Sequence, residues 1–237
     1  MSAFIDRGVE AIGQLGRAGS AALLSSFLQS GCAVCDRATS QPLCVDCQRQ
    51  LNAQISPPCQ KRADAQLSLI KALGAYDGIL KRAILSLKYE NRPEVAKILG
   101  AKLGQRWNQH LSPNERSIYV LPIPLHKDRQ KSRGYNQAAL LARSFCQVSG
   151  LQLLENGLVR SQATVPQHQL GLEARQQNLL GAFEVGRSLD RLRAKKHSLS
   201  VLLVDDIYTT GVTVQSAAKV LAQAGISTVG VVVVAIA

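Results

Sequence analysis

Val201-Leu202-Leu203-Val204-Asp205-Asp206-Ile207-Tyr208-Thr209-Thr210-Gly211-Val212-Thr213 decides the architecture. Leu199 and residues 201–204 form an apolar run of the length of a buried central strand. Asp205-Asp206 ends the run, a threonine-rich loop with one glycine follows, and a helical pattern runs from Val214 to Ala224 with Gly225 as its stop. In an open α/β sheet ligands bind beyond the carboxyl ends of strands, so the stretch predicts a site together with a fold.

Adjacent carboxylates at a strand end are costly, because each opposes ionisation of the other unless hydroxyls, donors or a cation share the charge. A ribose diol with Mg2+ supplies both, since Mg2+ takes one or two carboxylates together with water and substrate phosphates. Thr209, Thr210, Gly211, Val212 and Thr213 add hydroxyls, a close backbone approach and the free N–H groups of a helix start, which together make an anion cradle. The spacing is not that of an ATP-type P-loop, and the loop holds no lysine.

Outward from this stretch, strands are predicted at 117–123, 183–185 and 229–235, and helices at 79–89, 95–109 and 137–148, with a turn at Ser112-Pro113-Asn114. The alternation argues for a parallel sheet with crossover helices. Residues 1–30 have near-helical apolar spacing, and Pro57-Pro58 marks a linker. The expected division is therefore a helical segment at 1–30, a cysteine-bearing segment at 31–60 and an α/β domain at 61–237.

Twenty-eight Lys and Arg face 16 Asp and Glu, for a net charge of +12. The first 60 residues are balanced, so the excess belongs wholly to the larger domain. A nucleic acid or a phosphorylated metabolite suits such a field; a solvated basic surface is the plain alternative. The apolar run at 21–28 is far shorter than the roughly 20 residues of a membrane span, and no basic cluster precedes it. A cytoplasmic protein that is not integral to the membrane is the expectation.

Cys32-x2-Cys35 and Cys44-x2-Cys47 are two CxxC pairs eight residues apart. Cys32, Cys35, Cys44 and Cys47 together complete the four-thiolate shell of structural zinc, whose binding compensates for the poor apolar content of the segment. Disulfides and redox chemistry are the competing readings. Cys59 has no partner at the CxxC offset, and Cys146 reads as a core residue of a helix.

Two basic stretches complete the inventory. His126, Lys127, Arg129, Lys131 and Arg133 follow the strand at 117–123 and run into Gly134, Asn136 and Gln137; their guanidinium forks suit a pyrophosphate. From Arg160 to Asn178 runs a polar loop containing His168, long enough to act as a lid.

A hydrophobic strand, Asp-Asp, two variable residues and Thr-Thr-Gly-x-Thr resembles the phosphoribosyl pyrophosphate signature of type I phosphoribosyltransferases. The resemblance implies that Asp205 and Asp206 hold ribose hydroxyls as catalytic residues and that Thr209 to Thr213 bind the 5'-phosphate. With the four-cysteine knuckle, Tyr76-Asp77-Gly78 followed by Lys81 and Lys88, PIPLHKDRQKSRGYNQ and LVRSQATVPQHQLGLEARQQN, the chain resembles the ComF family of competence proteins. The further CxxC that family members commonly carry near Pro57-Pro58, beyond the first four cysteines, is reduced here to Cys59, a departure that counts against a second zinc site.

That likeness implies a type I phosphoribosyltransferase fold with a small N-terminal zinc-ribbon-like domain, and a ligand site drawing also on Lys88, Arg129, Arg133 and Asn136. It implies a protein that binds phosphoribosyl pyrophosphate or a nucleotide with Mg2+ and supports cytoplasmic steps of DNA uptake, with single-stranded DNA and other uptake proteins as partners. A working phosphoribosyltransferase and a zinc-dependent module that senses nucleotide are the other readings of the same residues.

Overall fold

The computed structural model describes residues 31–55, 59–61, 67, 69–109, 118–161, 182–196 and 198–237, with the backbone alone at 59–61. The N-terminal helical segment, the turn at 112–114, the side chain of Cys59 and the loop beyond Ser161, His168 included, lie outside the described residues.

Strands β1 (Cys59–Lys61), β2 (Ile70–Ala75), β3 (Ile118–Pro122), β4 (Gln152–Leu153), β7 (Ser200–Tyr208) and β8 (Ser227–Ile236) form one sheet in the order β1-β2-β8-β7-β3-β4. Five of its strands are parallel, and only β1 pairs antiparallel, on β2. β5 (Leu158–Arg160) and β6 (Phe183–Val185) make a separate antiparallel pair. The α/β architecture with a parallel sheet flanked by helices is therefore present.

The centre of the sheet is apolar because both faces are covered. Along β8, Val231 and Val233 face one core cluster and Val232 and Val234 the other; along β7, Val201 and Leu203 alternate likewise with Leu202 and Val204. The face of Val232, Val234, Leu202 and Val204 carries α1 (Val45–Ile55), α2 (Gly78–Tyr89), α3 (Glu94–Asn108) and α5 (Gln137–Ser149); that of Val231, Val233, Val201 and Leu203 carries α6 (Arg187–Arg193) and α7 (Val212–Gln223). Gly100 and Gly104 let α3 lie against the α5 backbone, where a Cβ would meet Leu141 O at 2.5 Å and Phe145 O at 2.8 Å. Trp107 meets Phe145 edge to face just beyond, with centroids 5.9 Å apart.

Three expectations shift. β7 runs through the Asp pair to Tyr208 instead of ending at Val204, because β8 continues alongside and pairs with Asp205, Ile207 and Tyr208 at Val233, Ala235 and Ile236. The basic stretch after β3 is a helix, α4 (Lys127–Arg133), closed by Gly134 at φ 83°. β2 was not expected at all.

The cysteine segment has no core of its own. Cys32, Leu43, Cys47 and Leu51 are buried in the cluster that holds Leu73, Leu80 and Leu87 of the α/β unit. Cys146 is half-buried against that cluster, and burial pushes its thiol up to about 12.

Candidate ligand cleft and metal centre

A cleft of about 320 Å³ opens at the carboxyl ends of β3 and β7. From β7 come Asp205, Asp206 and Tyr208, from the start of α7 Gly211, Val212 and Thr213, and from the turn between them Thr209. Gly211 is required there. Its φ is 77°, and a Cβ would lie 2.2 Å from the Tyr208 hydroxyl oxygen. The N-cap position of α7 is Gly211 itself, which brings the backbone of the helix start to the cleft with no cap side chain in between.

Lys88 arrives from the last turn of α2, and its Nζ lies 2.8 Å from Asp206 Oδ1. Burial works against the ammonium, but Asp206 and then Asp205 hold its pKa above the ordinary value. For Asp205, burial and the neighbouring Asp206 push the carboxyl up to about 7, against the pull of Lys88. Asp206 Oδ2 is buried without a hydrogen-bond partner among the described residues. An acid pair in this state suits an added cation or hydroxyl donors, so the residues present fit Mg2+ with a sugar diol.

Across the cleft stand Arg129 and Arg133, four apart on one face of α4, and Arg160 at the end of β5. Burial and then Arg133 lower the Arg129 guanidinium; burial and then Arg129 bring Arg160 down to about 10. Among the described lining residues four cations stand with two carboxylates, a lining of predominantly positive charge.

Of the residues singled out in the sequence, Lys88, Arg129, Arg133, Asp205, Asp206, Thr209, Gly211, Val212 and Thr213 line this one cleft. Thr210 and Asn136 do not. Asn136 caps α5, accepting from Ala138 N at 3.0 Å and donating to Ile123 O at 3.1 Å, and so ties the loop after β3 to the helix. Arg160, Tyr89, Gln137 and Tyr208 were missed as lining residues. Arg160 was visible only as the first residue of the long polar loop, and Tyr89 only as the neighbour of Lys88.

The four cysteines converge. Their Sγ atoms all lie within 4.8 Å of one another, and Cys35 and Cys44 are 3.6 Å apart. Tetrahedral zinc with Zn–S bonds near 2.3 Å requires sulfurs about 3.8 Å apart, so the donor set fits a closed structural site. Cys44 N, 3.3 Å from Cys32 Sγ, donates to that sulfur and orients it as an outer-shell partner.

No family model matches the chain. It is 35% identical over 112 residues to Competence protein F of Haemophilus influenzae, covering 47% of each protein. It is 32% identical over 161 residues to the DNA utilization protein YhgH of Salmonella typhimurium, covering 66% of each. The chain belongs to the ComF family. Competence protein ComFC of Bacillus subtilis, 24% identical over 155 residues, matches 65% of this chain and 58% of its own length. The matches thus span about half to two thirds of these ComF-family relatives. Among the described residues no helix is long and apolar enough to cross a membrane.

Proposed function

We propose that the cleft binds phosphoribosyl pyrophosphate or a related nucleotide with Mg2+, and that the protein supports cytoplasmic steps of DNA uptake in natural transformation. The observation that carries the ligand reading is the meeting of a helix start at Gly211, an Asp pair and three arginines in one cleft.

In this reading Thr209, Gly211, Val212 and Thr213 take the 5'-phosphate, Thr210 completes the loop that presents them, and Asp205 and Asp206 hold the ribose hydroxyls. Lys88 pairs with Asp206 and holds it in place, while Arg129, Arg133 and Arg160 face the pyrophosphate. Asn136 ties the start of α5 to Ile123, at the entry to the arginine-bearing helix α4. Mg2+, held through Asp205 and Asp206, supplies charge that offsets the phosphate oxygens. Residues 61–237 form the ligand-binding unit and residues 31–60 a zinc-held segment docked on it.

The DNA role is supported by relatives named for competence and DNA utilization and by the basic excess of the larger unit. A positive surface follows a single strand without sequence preference, which suits a strand entering the cell.

The arginine cluster also favours a second reading, a working transferase. There an acceptor base bonds to the ribose carbon as the bond to pyrophosphate breaks, and the guanidiniums stabilise the departing anion. Calorimetric titration with phosphoribosyl pyrophosphate and Mg2+ tests the ligand, and release of labelled pyrophosphate with pooled bases tests turnover. Tight binding without release supports the first reading over the second; absence of binding overturns both.

A further inference from the structure

Tyr89 ends α2 beside Lys88 and lines the cleft with 70% of its surface exposed. Every other aromatic ring among the described residues is withdrawn from solvent. Trp107, Tyr119, Phe145, Phe183 and Tyr208 are buried, and Tyr76 and Tyr135 are half-buried against the core. Tyr89 thus contributes little to the core of a chain in which aromatic residues are only 4%. Its surroundings are cationic: the Arg133 guanidinium carbon lies 5.7 Å from the ring centroid. Arg133 is held in turn by Gln137, with Nη1 donating to Oε1 at 2.5 Å.

An open ring beside a fixed guanidinium, on the rim of a phosphate site, has the form of a stacking surface for a flat heteroaromatic group. Phosphoribosyl pyrophosphate carries no such group and gains nothing from it.

We infer that Tyr89, with Arg133, is a stacking platform for the nucleobase of a nucleoside 5'-phosphate whose phosphate sits at the start of α7. The inference rests on the phosphate reading of the cleft and narrows its ligand to the base-bearing class. A free mononucleotide and the 5'-terminal unit of a single strand share this chemistry.

The test is equilibrium binding to the full zinc-loaded chain of ribose 5-phosphate, thymidine 5'-monophosphate, and a short oligothymidylate with and without its 5'-phosphate. Tyr89→Ala is expected to weaken thymidine 5'-monophosphate about tenfold or more and ribose 5-phosphate less than about twofold, while Tyr89→Phe retains both. Tyr89-dependent binding of the mononucleotide assigns the free nucleotide as the source; such dependence for the 5'-phosphorylated strand alone assigns a strand end. Either result supports the platform. Equal losses for base-bearing and base-free ligands, or no loss for either base-bearing ligand in Tyr89→Ala, overturn it. A wild-type chain that binds none of these phosphates overturns the phosphate reading of the cleft itself.

Discussion

Lys88 Nζ stands 2.8 Å from Asp206 Oδ1, with 18% of the lysine side chain and 5% of the aspartate side chain exposed. A helix and a strand far apart in sequence are thereby joined at the floor of the cleft. Removing one partner of a buried pair costs more than the pair itself contributes, because the remaining charge stays desolvated. Lys88→Met is expected to lower stability at neutral pH by roughly 3 kcal/mol in urea titration. The double variant Lys88→Met with Asp206→Leu should recover most of that loss, since it leaves no stranded carboxylate.

Asp205 gives a pH dependence of opposite sign to that of most carboxylates. Its folded pKa of about 7 lies above the unfolded value of about 3.9, so between these limits the folded chain binds more protons. Its contribution to stability is fully present below about pH 4 and is lost as pH rises through about 7. Asp205→Asn should therefore gain stability over wild type at pH 8 and show little difference at pH 4, read by denaturant unfolding at both values. Mg2+-dependent ligand binding should weaken below pH 7, where a proton competes at Asp205.

Gly211→Ala places a methyl group against the Tyr208 hydroxyl at a positive φ. A cost of about 1–3 kcal/mol is expected from the backbone conformation alone. Tyr208→Phe in the same chain removes the hydroxyl but leaves φ unfavourable, so it should restore only part of the loss. Thermal melting reads the stability, and titration with inorganic phosphate reads the cradle.

Gln54 of α1 caps α2 from outside. Its Oε1 accepts from Ile79 N at 2.9 Å and Leu80 N at 3.3 Å, while its amide donates to Asp77 O at 3.1 Å. Asp77, the residue at the cap position, makes no side-chain capping bond of its own. Gln54→Ala is expected to cost about 1 kcal/mol, as the loss of a helix cap does. Because α1 begins at Val45 and carries Cys47, loss of the metal should act through the same contact. Cys32→Ser is expected to reduce zinc content to near zero by atomic absorption and to lower the melting temperature. Full metal content in that variant would falsify the zinc assignment.

What could be read from the chain was local. The β7 strand, the glycine loop and α7 lie within about two dozen consecutive residues, and each is specified by its own pattern of apolar residues, carboxylates and hydroxyls. The two CxxC pairs occupy sixteen residues, and their spacing alone brings four thiols within reach of one ion. Ile70–Ala75 carries little strand pattern of its own, being short and interrupted by Lys71 and Gly74; it is a strand because β8 offers it a parallel ladder from Val231 to Ile236. The basic stretch at 127–133 lacks an apolar stripe, and its helix is set by the His126 cap and by Gly134.

Sequence alone therefore determined the α/β class, the acid pair, the threonine-glycine loop that follows it and the four-thiol set. Tertiary structure decided which cations face the acids: that Lys88 meets Asp206, that Arg160 joins Arg129 and Arg133, that Asn136 braces a loop, and that Tyr89 stands open at the rim. The reason is physical. A strand or a metal knuckle is fixed by neighbours along the chain, whereas a cleft is fixed by how helices pack on a sheet, and that packing is set by apolar faces that carry no record of the charges at their ends.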